Sequence, residues 1–424
     1  MFYISSIKNN LVGIMDTYDN IEEFYSADFV KEISNKLPIK GVDSKGIKKI
    51  NLGSALLTRD IVKKIDCEKD LSFEVVDLRD IIKYKMAGGR SISDDFIAIE
   101  TDTSIKLLSS KIIKLEDFNN HEGLFQSTSF TSIDFHSTDT SSVTDMSDMF
   151  RYCKAASLDL SIFNTSNVRD MSLMFNDCGV TSLDLSNFDT SNVESMHFMF
   201  SGCEATTFNL SSFKTSNVKN MSNMFEFSYV TYLDLSSFDT SNVENMMFMF
   251  YGCDAKYIDL SSFNTCKVEK MNDMFSSSKV ESLDLSSFDT SNVKYMDSMF
   301  EHCKATSINL SSFNTLNVED MNSMFKYSEV KYLDLSNFNT INVNNMHDMF
   351  CNCKASYIDV SSFNTGNVID MNGMFYSCEA LSLDLTNFDI SNVDDMEYMF
   401  DNFAGVIKTN NAELMQCYDE RSLD

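Results

Sequence analysis

Apolar positions recur along this chain every 25 residues, from Phe150 through to Phe400, so regularly that one block can stand for the rest. In AASLDLSIFNTSNVRDMSLMF, residues 155–175, apolar and polar residues first alternate. That alternation predicts a short strand with Leu158 and Leu160 inward and Ser157, Asp159 and Ser161 outward. Asn164, Thr165, Ser166 and Asn167 follow, side chains that bond nearby backbone, so the chain turns a corner there. Val168, Met171, Met174 and Phe175 then fall at offsets of 0, 3, 6 and 7. This is the spacing of a short helical turn with its apolar stripe inward.

Blocks ending in Met-Phe can be counted eleven times between residues 126 and 400, with a worn copy at Leu124-Phe125. A unit this small cannot bury its own apolar face, so the copies stack and share one core. Ala155, Leu158, Leu160 and Phe163 fit the L-x-x-L-x-L spacing of a leucine-rich repeat, with Phe163 standing where that pattern has Asn or Cys. The expected fold is therefore a repeat solenoid, leucine-rich-repeat-like, with one short strand plus one short helical turn per repeat. It occupies residues 121–400. Residues 1–120 form a small N-terminal α+β domain, and residues 401–424 a C-terminal cap or tail.

In the N-terminal part, FYISSI, LVGIMDT and IEEFYS predict a strand meander over residues 2–25. A helix follows, capped by Ser26, striped by Phe29, Val30, Ile33 and Leu37, and ended by Pro38. GIKKINLGSALL, LSFEVVDLRDIIKYKM and DDFIAIET suggest further strands and one helix, with MAGGRSISDD as a loop. No recognisable catalytic set is present, because all five histidines lie beyond residue 120.

The repeats resemble a known family, the BspA-like bacterial leucine-rich-repeat surface proteins, whose units read roughly M-x-x-M-F-x-x-C … L-x-L-S-x-F-D-T-S-N-V. Met171, Met174, Phe175, Cys178, Leu183, Leu185, Phe188, Asp189, Thr190, Ser191, Asn192 and Val193 reproduce that motif in one unit. The resemblance covers residues 121–400. It implies a leucine-rich-repeat-like solenoid with a binding role, usually adhesion at a cell surface.

Charge changes the picture. Residues 121–400 carry 38 Asp or Glu against 14 Lys or Arg, whereas residues 1–120 carry 20 against 18. Acidity is thus a property of the solenoid, and it disfavours direct binding to nucleic acid or to an anionic membrane while favouring a basic protein partner. At ~4.8 Å per coil the solenoid bears about one net charge per ~2 Å of length, close to the one per ~1.7 Å of duplex DNA. A sharper expectation follows: it blocks a nucleic-acid-binding protein by DNA mimicry, as a phage or mobile-element inhibitor of host defence would. The alternative is a bacterial cell-surface adhesin.

The candidate contact set lies on the exposed strand face. It comprises Asp159, Asp184, Asp234, Asp259, Asp284, Asp334, Asp359 and Asp384, with Tyr232, Tyr257, Tyr332 and Tyr357 on adjacent copies two residues earlier. Aromatic rings of this kind are enriched at binding hot spots. Two methionine columns hold 22 of the 27 methionines and read as core filler. A cysteine column from Cys153 to Cys378 alternates with Ser228, Ser278 and Ser328, and the residue two places on switches between Ala and Val in step. This reads as packing of reduced thiols. No metal, cofactor or catalytic residue is expected, and the sequence shows neither a secretory signal nor a long apolar run, so the expected location is cytoplasmic.

Overall fold

The computed structural model describes residues 54–116 and 123–422. The meander expected over residues 2–25 and the helix ended by Pro38 lie outside the described residues. The described chain begins with β1 (Ser54–Leu57), α1 (Arg59–Ile65), β2 (Asp70–Val75), α2 (Leu78–Met86), β3 (Arg90–Ser91), β4 (Ile97–Glu100), β5 (Ser104–Ser109) and β6 (Ile112–Leu115). Thr58 caps α1 through its side-chain oxygen, which accepts the Ile61 N–H.

The first two repeats supply β7 (Ser132–Asp134), β8 (Thr138–Asp139) and β9 (Ser157–Asp159). A six-stranded sheet of order β3-β4-β5-β2-β7-β9 joins the N-terminal elements directly to the first coils. There Leu71 of β2 pairs with Ile133 of β7, and the Phe73 and Phe135 rings stack at 5.7 Å. One buried apolar core runs without a break from Ala55 to Leu414.

Each later coil contributes one strand of two or three residues: β10 (Leu183–Asp184), β11 (Phe208–Asn209), β12 (Tyr232–Asp234), β13 (Tyr257–Asp259), β14 (Ser282–Asp284), β15 (Ser307–Asn309), β16 (Tyr332–Asp334), β17 (Tyr357–Asp359) and β18 (Ser382–Asp384). Through β17 these pair in parallel, in register and two by two. A second row of parallel bridges links every coil from Asp145 to Asp395. The protein is a repeat solenoid whose coils are clamped edge to edge by backbone hydrogen bonds.

Side chains fix the corners. Thr165 Oγ1 donates to the Asp189 carbonyl at 2.9 Å and accepts the Asp189 N–H at 2.8 Å, a two-way clamp onto the next coil. Asn192 Nδ2 donates to the Ser166 carbonyl at 2.7 Å. Repeated along the array, these bonds satisfy backbone groups that have no strand partner. Inside, rings from Phe150 to Phe400 stack between 5.4 and 5.9 Å, one per coil.

The expected helical turn is absent. Met171–Met174 and Phe175–Cys178 instead form two successive tight turns, closed by Met174 N–H to Met171 O at 3.3 Å and Cys178 N–H to Phe175 O at 3.2 Å. Intervening amides point along the solenoid axis, as Phe175 N–H does toward Met199 O at 2.9 Å. The third residue of each turn is left-handed, here Leu173 at φ 59° and Asp177 at φ 50°. Offsets of 0, 3, 6 and 7 suit both arrangements. Neighbouring coils offer acceptors that an isolated helix would have to find within itself.

At the far end β19 (Val406–Lys408) pairs with β18, and α3 (Ala412–Asp419) closes the core. Leu414 is buried there, and the Tyr418 ring meets Phe400 at 5.8 Å.

Candidate protein-binding face

The twelve residues singled out from the sequence all lie on the strand face. Tyr232 and Tyr257 stack at 5.3 Å, Tyr332 and Tyr357 at 4.5 Å, and all four rings are exposed. Their register partners Asp234↔Asp259 and Asp334↔Asp359 lie directly beside one another on neighbouring coils.

Each aspartate has a local task. Asp234 Oδ1 accepts the Ser236 N–H at 3.0 Å and the Ser236 hydroxyl at 2.6 Å, turning the chain as it leaves the strand. Asp159, Asp184, Asp259, Asp284, Asp334, Asp359 and Asp384 accept the N–H two residues on in the same way. Those bonds hold the carboxyls of Asp159, Asp184, Asp234, Asp284 and Asp334 below the usual range, the serine hydrogen bonds being the main cause. Lys408, at 2.7 Å, is foremost in lowering Asp384 to about 2. Asn209 and Asn309 make the same turn with a neutral acceptor, at 3.4 and 3.2 Å.

Cations are scarce on this face. Asp384 has Lys408, and Asp159 has His136 at 3.5 Å. Among the described residues no Lys, Arg or His pairs with Asp184, Asp234, Asp259, Asp284, Asp334 or Asp359.

Sequence reasoning passed over His136. It stands in a column filled by serine from Ser161 to Ser361 and by Thr386, and its Nδ1 lies 2.6 Å from Asp134 Oδ1. Asp134, His136 and Asp159 bring donor atoms of the right kinds close enough for one divalent ion, and all three are open to solvent. The break in the serine column was the signal. The other columns are as expected: Met171, Met174 and their equivalents are core. Every cysteine is a free thiol, and burial pushes Cys203, Cys253, Cys303 and Cys353 up to about 12.

Residues 119–232, 226–334 and 326–413 match a repeat family described as "Mycoplasma protein of unknown function, DUF285". The chain belongs to this family. The three DUF285 matches overlap and run over the solenoid from end to end, so it is the coil that defines membership, while residues 54–116 lie outside it. No curated protein and no solved structure matches the chain. No helix among the described residues is long and apolar enough to cross a membrane.

Proposed function

We propose that this DUF285 protein is a non-catalytic binding protein whose acidic strand face docks a basic protein surface. One observation carries the reading. Asn209 and Asn309 turn the corner as aspartate does, yet nine of the eleven copies keep Asp, most without a cation among the described residues. That is more charge than the fold requires. Like charges ~4.8 Å apart repel, and a basic partner relieves the repulsion. The exposed tyrosine pairs add flat, rigid contact area beside the charges. In its narrower form the proposal is DNA mimicry, supported by a charge spacing near that of a duplex.

The coils are read here as leucine-rich-repeat-like, on the strength of the L-x-x-L-x-L spacing and one short parallel strand per coil, and the family as kin to the BspA-like proteins. Eleven free thiols support a reducing, cytosolic setting. Detection of the protein outside the cell would favour adhesion instead. The direct test is capture from the source cell's lysate by wild type and by a variant with Asp234, Asp259, Asp284 and Asp334 changed to Asn. A basic partner retained by wild type, lost by the variant and displaced by DNA supports the proposal with its narrower form. Equal capture by both proteins refutes it.

A further inference from the structure

The two tight turns of each coil carry a second surface with a different logic. Each M-x-x-M-F-x-x-C segment has four variable positions on these turns, whose side chains range from buried, as at Asp148 and Asn223, to exposed, as at Phe227 and Tyr398. Across eleven copies one of these columns reads Asp148, Leu173, Phe198, Asn223, Phe248, Asp273, Ser298, Ser323, Asp348, Gly373 and Tyr398, seven residue types in eleven places. The aspartate column of the strand face uses two. Copies of one duplicated unit have stayed alike where packing and corner bonds constrain them and have diverged here.

Their divergence runs against backbone preference. Tyr152, Phe198, Phe227, Phe248, Tyr327 and Tyr398 are all left-handed, at φ between 48° and 58°. Gly, Asn and Asp adopt that conformation with little cost, whereas for bulky residues it is an outlier costing roughly 1–2 kcal/mol. Burial compensates least at Phe227 and Tyr398, 53% and 59% exposed, while Phe198 and Phe248 are half-buried. Exposed apolar area and a strained backbone together mark functional surfaces.

We infer that this turn face is a recognition surface for an extended polypeptide segment bearing Arg or Lys side chains. Its columns hold nine acidic side chains against Arg151 and Lys326, which pair with Asp148 at 3.0 Å and Asp348 at 2.8 Å and leave seven without either cation. Guanidinium and ammonium groups suit aromatic faces flanked by carboxylates, while nucleic acid phosphates are repelled. From Phe198 to Tyr398 the aromatic positions span eight coil steps, roughly 40 Å, far beyond a small cation. One shallow, open depression lies on this face, lined by Tyr327, Tyr376 and Tyr398 with the Lys326–Asp348 pair. Gly373 leaves it open. A Cβ there would collide with Asp348 Oδ1, although neighbouring coils carry side chains at the same position.

The test uses labelled decapeptides of alternating Arg-Gly, Lys-Gly and Glu-Gly, with binding read by fluorescence anisotropy at about 0.15 M salt. Four full-length proteins are compared: wild type, the strand-face variant described above, a turn-face variant (Phe227→Ser, Tyr327→Ser, Tyr398→Ser) and the combination. Serine occupies these columns in other copies, so the fold is kept, and the turn-face variant melts no lower than wild type. The strand-face variant retains the Arg and Lys peptides and rejects the Glu peptide, and adding the turn-face changes weakens binding roughly tenfold or more. Failure of the strand-face variant to bind the cationic peptides, or no loss on adding the turn-face changes, overturns the inference. Neither result bears on whether the strand face captures its own partner.

Discussion

The strand face and the turn face derive from the same 25 residues copied eleven times, and they have been treated differently. On the strand face a carboxylate bonded to a serine N–H is held ionised, and the residue type hardly varies. On the turn face carboxylates are crowded and half-buried. Burial, with Asp297 and Glu301 alongside, pushes the Asp273 carboxyl up to about 7, and burial likewise raises Asp297 and Glu226. Constancy on one side combines a corner bond that every copy makes, with Asn as well as Asp, and a charge that the corner itself does not need. Variation on the other, at a cost in backbone conformation, reflects demands from outside the molecule.

Four changes would break or sharpen that contrast. The largest effect belongs to the constrained side. Thr240 is buried and clamps both the N–H and the carbonyl of Asn264, at 2.8 and 2.9 Å. Thr240→Val strands both groups and costs about 2–4 kcal/mol in a urea unfolding experiment. Next comes Tyr398→Asn on the turn face, which removes a left-handed aromatic and stabilises the fold by about 1 kcal/mol. A lower melting temperature for that variant would show that the ring earns its conformation by packing, against the contrast drawn here.

The third and fourth concern pH and have opposite signs. Asp273 keeps its proton in the folded state above the pH at which the unfolded chain loses it, so stability falls as pH rises from about 4 to about 7. Asp273→Asn flattens that fall, as paired unfolding curves at the two ends of the range would show. Asp234 is lowered instead, so its contribution is present above the unfolded carboxylate value and is lost as pH falls through the folded one. At neutral pH Asp234→Asn changes stability by less than about 0.5 kcal/mol, since asparagine supplies the same acceptor at Asn209 and Asn309.

The period, the inward columns and the exposed aspartates could all be read directly from spacing, because a repeated apolar pattern leaves one way to share a core. The helical turn was misread for a physical reason. Met171, Met174 and Phe175 satisfy helical offsets, yet their amides bond to the next coil, and a single repeat contains no record of its neighbour. The aspartate corners were half legible: Asp159 and Ser161 could be placed outward, while the bond common to the corners, donated by the N–H two residues on, could not be read from spacing. The turn-face strain was illegible, since nothing in the letters Phe227 or Tyr398 announces a positive φ. His136 was visible only as a break in a serine column.

The most direct test of the central claim, that unneutralised strand-face charge recognises a basic partner, is the salt dependence of affinity for the captured partner. It would be measured for wild type and for the variant with Asn at positions 234, 259, 284 and 334. The account predicts a steep fall in wild-type affinity with rising salt and a clearly shallower one for the variant, converging at high salt. Parallel curves of equal affinity would contradict it and would leave the aspartate column as nothing more than eleven turned corners.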